Sequence, residues 1–287
     1  MRANRRRSTV SSEQLVYDGL QACPYLEGQV ARMPLYRQRT RLSPEETDAR
    51  LANAERRVGF SLYRTDCPTC RACVGLRIVA GDLKATKSQR RVLKRWQALG
   101  DRLEIRVGRA TWSEEKLELY NRHKVERGLG SEEDEPMEAR GYVGWLVHSC
   151  MQTVEMTYHI DGKLVAVGIL DVGRDSTSSV YFYFDPSPEI AALSPGTFSV
   201  FQEARFCARS GRRYHYLGLW VRDCPSLAYK ANFYPHERLV DGDWRLIDGP
   251  SKSDHAIQSA PHVPDVGKEE RSQNVAVEDV GEGREDE

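Results

Sequence analysis

The segment spanning residues 154–172 does most to limit what this chain can fold into. VEMTYHI and KLVAVGILDV flank Asp161-Gly162, and an Asp-Gly pair between apolar runs favours a type I′ turn, so the segment reads as a β-hairpin. SSVYFYFDP then reads as a strand broken at Pro186, PGTFSVFQEARFCARSG as a helix closed by Gly211, and YHYLGLWV as another strand. The short segment SLAYKANF follows. Strands interleaved with a helix make this half of the chain α/β.

Ahead of it, SPEETDARLANAERRVG predicts a helix over 43–59, with Ser43 as cap, Pro44 at the first position and Gly59 as terminator. FSLYR and VGLRIV read as strands, which places the cysteine run between them in a connection. Residues 88–99, SQRRVLKRWQAL, form a basic amphipathic helix: Val92, Leu93, Trp96 and Leu99 share a face, and Arg90, Arg91, Lys94 and Arg95 lie largely elsewhere. Ser113 caps a further helix, EEKLELYNRHKVERG.

A length of 287 residues suits about two domains, at roughly 150 residues each. The net charge of zero conceals an asymmetry, because residues 1–110 carry 23 basic and 11 acidic side chains, 111–249 carry 15 and 21, and 250–287 carry 4 and 10. A basic front half points to a polyanionic partner. The expected division is a flexible N-terminus at 1–10, a basic cysteine-bearing domain at 11–105, an α/β domain at 106–247, and a disordered acidic tail at 248–287 whose composition buries too little apolar surface to order itself. No stretch approaches the ~18 apolar residues of a membrane span, and the basic N-terminus lacks the apolar core of a signal peptide. A cytoplasmic protein without a membrane partner is expected, and disulfides are not.

The seven cysteines include Cys67, Cys70 and Cys73 at intervals of three. That spacing lets one loop present several thiolates to an ion, and Cys23 could supply a fourth; sulfur alone does not separate zinc from an iron–sulfur centre. The competing reading is that some of these thiols pack as small apolar groups. Arg71 and Arg64 would lower thiol pKa values. Cys150 and Cys207 read as core residues on helix faces, and Cys224 fits either role.

CPYLEGQVARM, LYRTDCPTCRACVGLRI, SQRRVLKR, LVAVGILDV, SSVYFYFDP and YHYLGLWVRDCPSLAYKANFYPHE together resemble the ordered blocks of the aminoacyl-tRNA–protein transferases, the eukaryotic arginyltransferases and bacterial aspartate/glutamate leucyltransferases. The resemblance runs from about residue 23 to 237. It implies an acetyltransferase-like (GNAT) C-terminal domain behind a smaller cysteine-bearing domain. It also implies transfer of leucine or arginine from charged tRNA to proteins beginning with Asp or Glu, which marks them for N-degron proteolysis. The chain differs from the family pattern at Ser194-Pro195-Gly196, at Leu219 and at Pro225-Ser226-Leu227, and Leu26 stands where eukaryotic members carry a second cysteine.

An aminoacyl ester is already activated, so transfer needs no cofactor and consists mainly of positioning. The attacking α-amine, with a pKa of ~7.7–8.0, needs only a modest base. Lys230, Tyr229, Asp185 and Tyr183 are the candidate catalytic residues, with a phenol or the backbone N–H groups of a splayed strand as oxyanion donors. Lys230 or Arg222 could pair with the acceptor's carboxylate. Tyr25 and Arg64 could touch the acceptor or the tRNA end, and Arg90, Arg91, Lys94 and Arg95 are the candidate tRNA-binding residues. Two alternatives remain: an acetyl-CoA-dependent N-acetyltransferase, although ALSPGTFSV lacks the expected glycine-rich pyrophosphate turn, and a non-catalytic, metal-bound RNA-binding module.

Overall fold

The structure is a computed structural model that describes residues 13–129 and 135–249. The flexible terminus expected at 1–10, and the acidic tail apart from residues 248 and 249, lie outside the described residues.

The N-terminal strands are β1 (Glu13–Tyr17), β2 (Leu20–Ala22), β3 (Val30–Arg32), β4 (Leu35–Gln38), β5 (Arg56–Val58) and β6 (Ser61–Tyr63). They form a four-stranded sheet of order β1-β4-β6-β5 and a separate β2-β3 pair. The remaining strands are β7 (Val74–Val79), β8 (Leu103–Arg109), β9 (Gln152–Ile160), β10 (Lys163–Val172), β11 (Ser176–Phe184), β12 (Tyr214–Trp220), β13 (His236–Val240) and β14 (Asp243–Ile247). They build one mixed sheet of order β14-β13-β7-β12-β11-β10-β9-β8. The division expected at 105/106 falls inside β8, and the large sheet takes β7 from well ahead of it.

Seven α-helices accompany the sheets among the described residues: α1 (Pro44–Ala52), α2 (Lys87–Gln97), α3 (Glu114–Glu126), α4 (Ala139–Tyr142), α5 (Pro188–Ala191), α6 (Pro195–Arg209) and α7 (Pro225–Ala228). The β9–β10 hairpin turns as its sequence predicts, with Asp161 at φ 51° and Gly162 at φ 79°, the left-handed pair that a type I′ turn requires. Ser43 caps α1 in a reciprocal capping box with Glu46. The helix then stops at Ala52 rather than Gly59. Tertiary contacts override the helical pattern: Arg57 in β5 places its Nε 3.0 and 2.8 Å from the two carboxylate oxygens of buried Asp171, and that pair ties the small sheet to the large one. Gly59, at φ 55°, makes the β5–β6 turn instead, and a side chain there would collide with the carbonyl oxygen of Gly144.

Both faces of β10 and β11 are covered, which explains their nearly unbroken apolar sequence. On one face α2 and α6 bring Val92, Trp96 and Phe198 against Met156, Tyr158, Ala166, Leu170 and Phe184. Trp96 stacks on Phe198 with ring centroids 4.3 Å apart. On the other face Leu119, Tyr120, Tyr142 and Leu146 pack against Leu164, Val167, Ile169 and Tyr183. Burying Trp96 turns the basic residues of α2 outward, and Arg90, Arg91, Lys94 and Arg95 are all exposed.

Candidate active site

Strands β11 and β12 are parallel but pair only over Ser176↔Tyr214, Thr177↔His215 and Ser178↔Tyr216. Beyond that register β11 stays with β10 and β12 stays with β7, so the two strands part and leave a fork in the sheet. Gly218 lies at the fork with φ 85°, where β12 breaks register against β7. A Cβ on Gly218 would lie 2.8 Å from Cζ of Arg56, so glycine is what lets the arginine in. Arg56 reaches across from β5, donating to Ser178 Oγ at 2.8 Å and to the Ser179 carbonyl at 2.6 Å.

Helix α6 supplies the fork with a buried carboxylate. Glu203 is 2% exposed and accepts from Ser199 Oγ at 2.5 Å and from Ser179 Oγ. His215 Nε2 lies 3.2 Å from the same carboxylate, and its Nδ1 is 2.8 Å from Thr177 Oγ1. The chain after β12 then turns back through α7 into a 3-10 turn, Tyr229–Asn232. Trp220 Nε1 anchors that return by donating to the Ala228 carbonyl at 3.3 Å.

Lys230 sits in this turn and donates from Nζ to the Leu219 carbonyl at 2.7 Å. Desolvation of the amine, reinforced by the positive charge of Arg56, pulls its pKa from 10.5 down to about 7; Cys224 opposes this weakly. Tyr229 exposes 46% of its surface. Its hydroxyl is nevertheless desolvated, and with the charge of Glu203 this raises the phenol to about 12. A phenol raised in this way stays protonated at neutral pH and able to donate.

Of the candidates from sequence, Lys230 and Tyr229 meet at the fork; Tyr183 and Asp185 take other places. Tyr183 is fully buried against α3 and α4, with its hydroxyl 2.6 Å from that of Tyr142, and burial drives its pKa upward. Asp185 ends β11 in ion pairs with Arg122 at 3.0 Å and Lys163 at 3.1 Å. Burial would raise its pKa, but the Ser187 N–H and these cations more than reverse this and hold it below the usual carboxylate value. Arg222 is exposed, 5.8 Å from the Trp220 ring; Arg64 is exposed, 5.9 Å from the Tyr36 ring; Tyr25 is half-buried in the β2–β3 connection. Arg56 and Glu203 were not legible as site residues, since the former was absorbed into the expected helix. The available signal for Glu203 was a carboxylate on the buried face of α6, between Val200 and Cys207.

The cysteines gather. Cys67 is buried and Cys23, Cys70 and Cys73 are half-buried. Burial, followed by the neighbouring Cys23, Cys67, Cys70 and Cys224, pushes the Cys73 thiol up to about 12. Cys224 comes close because Val74, next to Cys73, pairs with Trp220 across β7 and β12. The donors are soft enough for zinc or an iron–sulfur centre. Among the described residues, however, no three His, Cys, Asp or Glu side chains converge into a ligand set. Cys150 and Cys207 are fully buried, Cys207 on α6 and Cys150 in the irregular segment before β9 rather than on a helix.

The large sheet is thus antiparallel except for one central parallel pair, β11–β12, whose strands part beside Lys230 and Tyr229. The N-terminal profile of the arginine-tRNA-protein transferases matches residues 21–91 and the C-terminal profile matches residues 115–240. The chain belongs to that family and is an aminoacyltransferase. It is 33% identical to an aspartate/glutamate leucyltransferase of Methylobacillus flagellatus over 67% of this chain and 75% of the relative. It is 32% identical to the aspartate/glutamate leucyltransferase of Halorhodospira halophila, over 78% of this chain and 92% of that one. A solved structure, L-PGS from Bacillus licheniformis, overlaps 53% of this chain and 48% of its own at 14% identity, with a TM-score of 0.38.

Proposed function

We propose that the chain moves leucine from Leu-tRNA to the α-amine of proteins beginning with Asp or Glu, in the cytoplasm, and so creates an N-degron. The observation that carries this reading is Lys230, held in the turn beside the fork with Nζ 2.7 Å from the Leu219 carbonyl, where desolvation and the charge of Arg56 pull its pKa down to about 7. Near neutral pH a large share of it is unprotonated and can accept a proton. The choice of leucine follows the names of the curated relatives.

In this mechanism the acceptor's neutral α-amine attacks the ester carbonyl of the aminoacyl group. The new C–N bond gives a tetrahedral intermediate whose oxyanion accepts from the Tyr229 hydroxyl. Lys230 Nζ takes the proton released from the amine. It then returns a proton to the terminal ribose oxygen of the tRNA as the ester C–O bond breaks. Arg222, exposed at the end of β12, pairs with the acceptor's acidic side chain. An acetyl-CoA reaction fits less well, because α6 begins with Pro195 and so lacks an N–H donor where a pyrophosphate would dock.

The test is label transfer from [14C]Leu-tRNA and, separately, [14C]Arg-tRNA to peptides beginning with Asp, Glu or Ala. Leucine on the acidic peptides alone is the expected result. Arginine alone would overturn the donor, and tRNA binding without transfer from either would overturn the reaction.

A further inference from the structure

An open cleft of about 380 Å³ lies away from the fork, lined by Gln14, Arg37, Gln38, Arg39, Phe60 and His148. No residue of the fork lines it. Its volume falls at the low end of small-ligand sites, about 300–1,000 Å³. The cleft is assembled at the β5–β6 turn. Gly59 brings the β5–β6 turn against the backbone at Gly144, and this sets Phe60 flat on His148 with ring centroids 4.8 Å apart and planes 21° from parallel.

The chemistry of the lining is specific. Arg37 and Arg39 are exposed, and neither is ion-paired among the described residues. Gln38, between them, is only 2% exposed. Its Nε2 is committed to Glu13 Oε2 at 3.1 Å and to the Tyr36 carbonyl at 3.3 Å, and this leaves Oε1 buried with no partner. A buried carbonyl without a donor costs stability unless a ligand or water supplies one. Two unpaired guanidinium groups ask for phosphate, a stacked aromatic–imidazole pair asks for a planar ring, and an unpartnered amide oxygen asks for an N–H donor.

We infer that this cleft binds one unstacked nucleotide of the donor tRNA: its base on the Phe60–His148 stack, its exocyclic amine toward Gln38, and its flanking phosphates on Arg37 and Arg39. The inference rests on aminoacyl-tRNA being the donor and adds a contact remote from the ester. Flanking phosphates separate this ligand from the acidic side chain of an acceptor, which would need one cation and no ring.

The test is equilibrium binding of unacylated bulk tRNA to the full-length chain between 50 and 200 mM KCl, with peptide kinetics alongside. Arg37→Gln/Arg39→Gln should weaken binding about tenfold and flatten the log–log salt slope by about 1.5, the loss of two phosphate contacts. His148→Ala should weaken binding about fivefold or more with the slope unchanged, the low end for one base stack. All three residues are exposed, so thermal melts should match the wild type. Wild-type affinity and slope in both variants would overturn the inference. So would intact tRNA binding with a raised KM for Asp-peptides, which would give the cleft to the acceptor. Wild-type protein that binds tRNA through this cleft yet transfers no amino acid would refute the transferase mechanism and leave the cleft standing.

Discussion

Lys230 and Arg56 form a coupled pair, so changing one should report on the other. Lys230→Ala should lower transfer by roughly 10²-fold or more, the lower range for losing a positioned base. The pH profile gives the sharper test. The positive charge of Arg56 helps hold Lys230 near 7, so Arg56→Gln should raise the lysine's pKa and move the acidic limb of kcat/KM toward higher pH. The acceptor amine titrates nearby, at ~7.7–8.0, but it is the same in both proteins and drops out of the difference. An unmoved limb would mean that Lys230 is not the group titrating. Linkage gives a second sign: the folded pKa of about 7 lies below the unfolded value, so the unfolded chain holds the extra proton between about 7 and 10.5 and stability rises with pH across that window. Lys230→Met should therefore gain more Tm over the wild type at pH 6 than at pH 10. At this scale the sequence offered Lys230 and Tyr229 as candidates, because a lysine and a tyrosine after a strand end are visible as a motif, and both lie in the turn beside the fork. Arg56 was hidden because its role comes from a glycine 162 residues later in the chain.

Among the elements, α2 was legible to within two residues, 88–99 against Lys87–Gln97, because its amphipathic period is a local property, although the Thr86 cap with Gln89 was not read. Its four basic residues are nevertheless unequal. Arg90 donates to the Ala85 carbonyl at 2.7 Å and Arg95 to Ser194 Oγ at 3.2 Å, whereas no side-chain partner constrains Arg91 or Lys94 among the described residues. Arg91→Gln/Lys94→Gln should therefore cost more tRNA affinity, and flatten the salt slope more, than Arg90→Gln/Arg95→Gln in the same binding assay. Equal losses would show that the helix acts only through net charge. The cysteine loop was legible in its spacing, but among the described residues no three of its thiols converge into a ligand set, and only the β7–β12 register revealed Cys224 as a fourth neighbour of Cys73. If the cluster closes around a metal, anaerobically purified protein should carry about one zinc ion or one iron–sulfur centre per chain, and Cys67→Ser/Cys70→Ser should remove it. Metal content well below one for both elements would leave these thiols as packing groups.

At the scale of the whole molecule, the expected two-domain division misread where the site is made. Helices α1, α2, α3 and α6 and strands β6, β7 and β9 to β12 were visible from local periodicity; strands β1 to β4, β8, β13 and β14 were not read, β5 was read as helix, and sheet order, being non-local, was not visible either. Strand β7 lies between β12 and β13 in the large sheet, and β5 of the small sheet sends Arg56 into the fork. The buried Arg57–Asp171 pair joins the same two sheets, with both side chains at most 2% exposed. The candidate site is thus shared between sequence halves that composition alone would separate. A chain cut to begin at residue 106 would lose β7 and Arg56 and leave Asp171 buried without its cation, a loss that alone costs about 3–5 kcal/mol. It should show no cooperative thermal transition and no transfer, even when the fragment 1–105 is supplied separately. A fragment that melts cooperatively and transfers leucine would mean that the fork, with Arg56 absent, needs only Lys230 and Tyr229 to work.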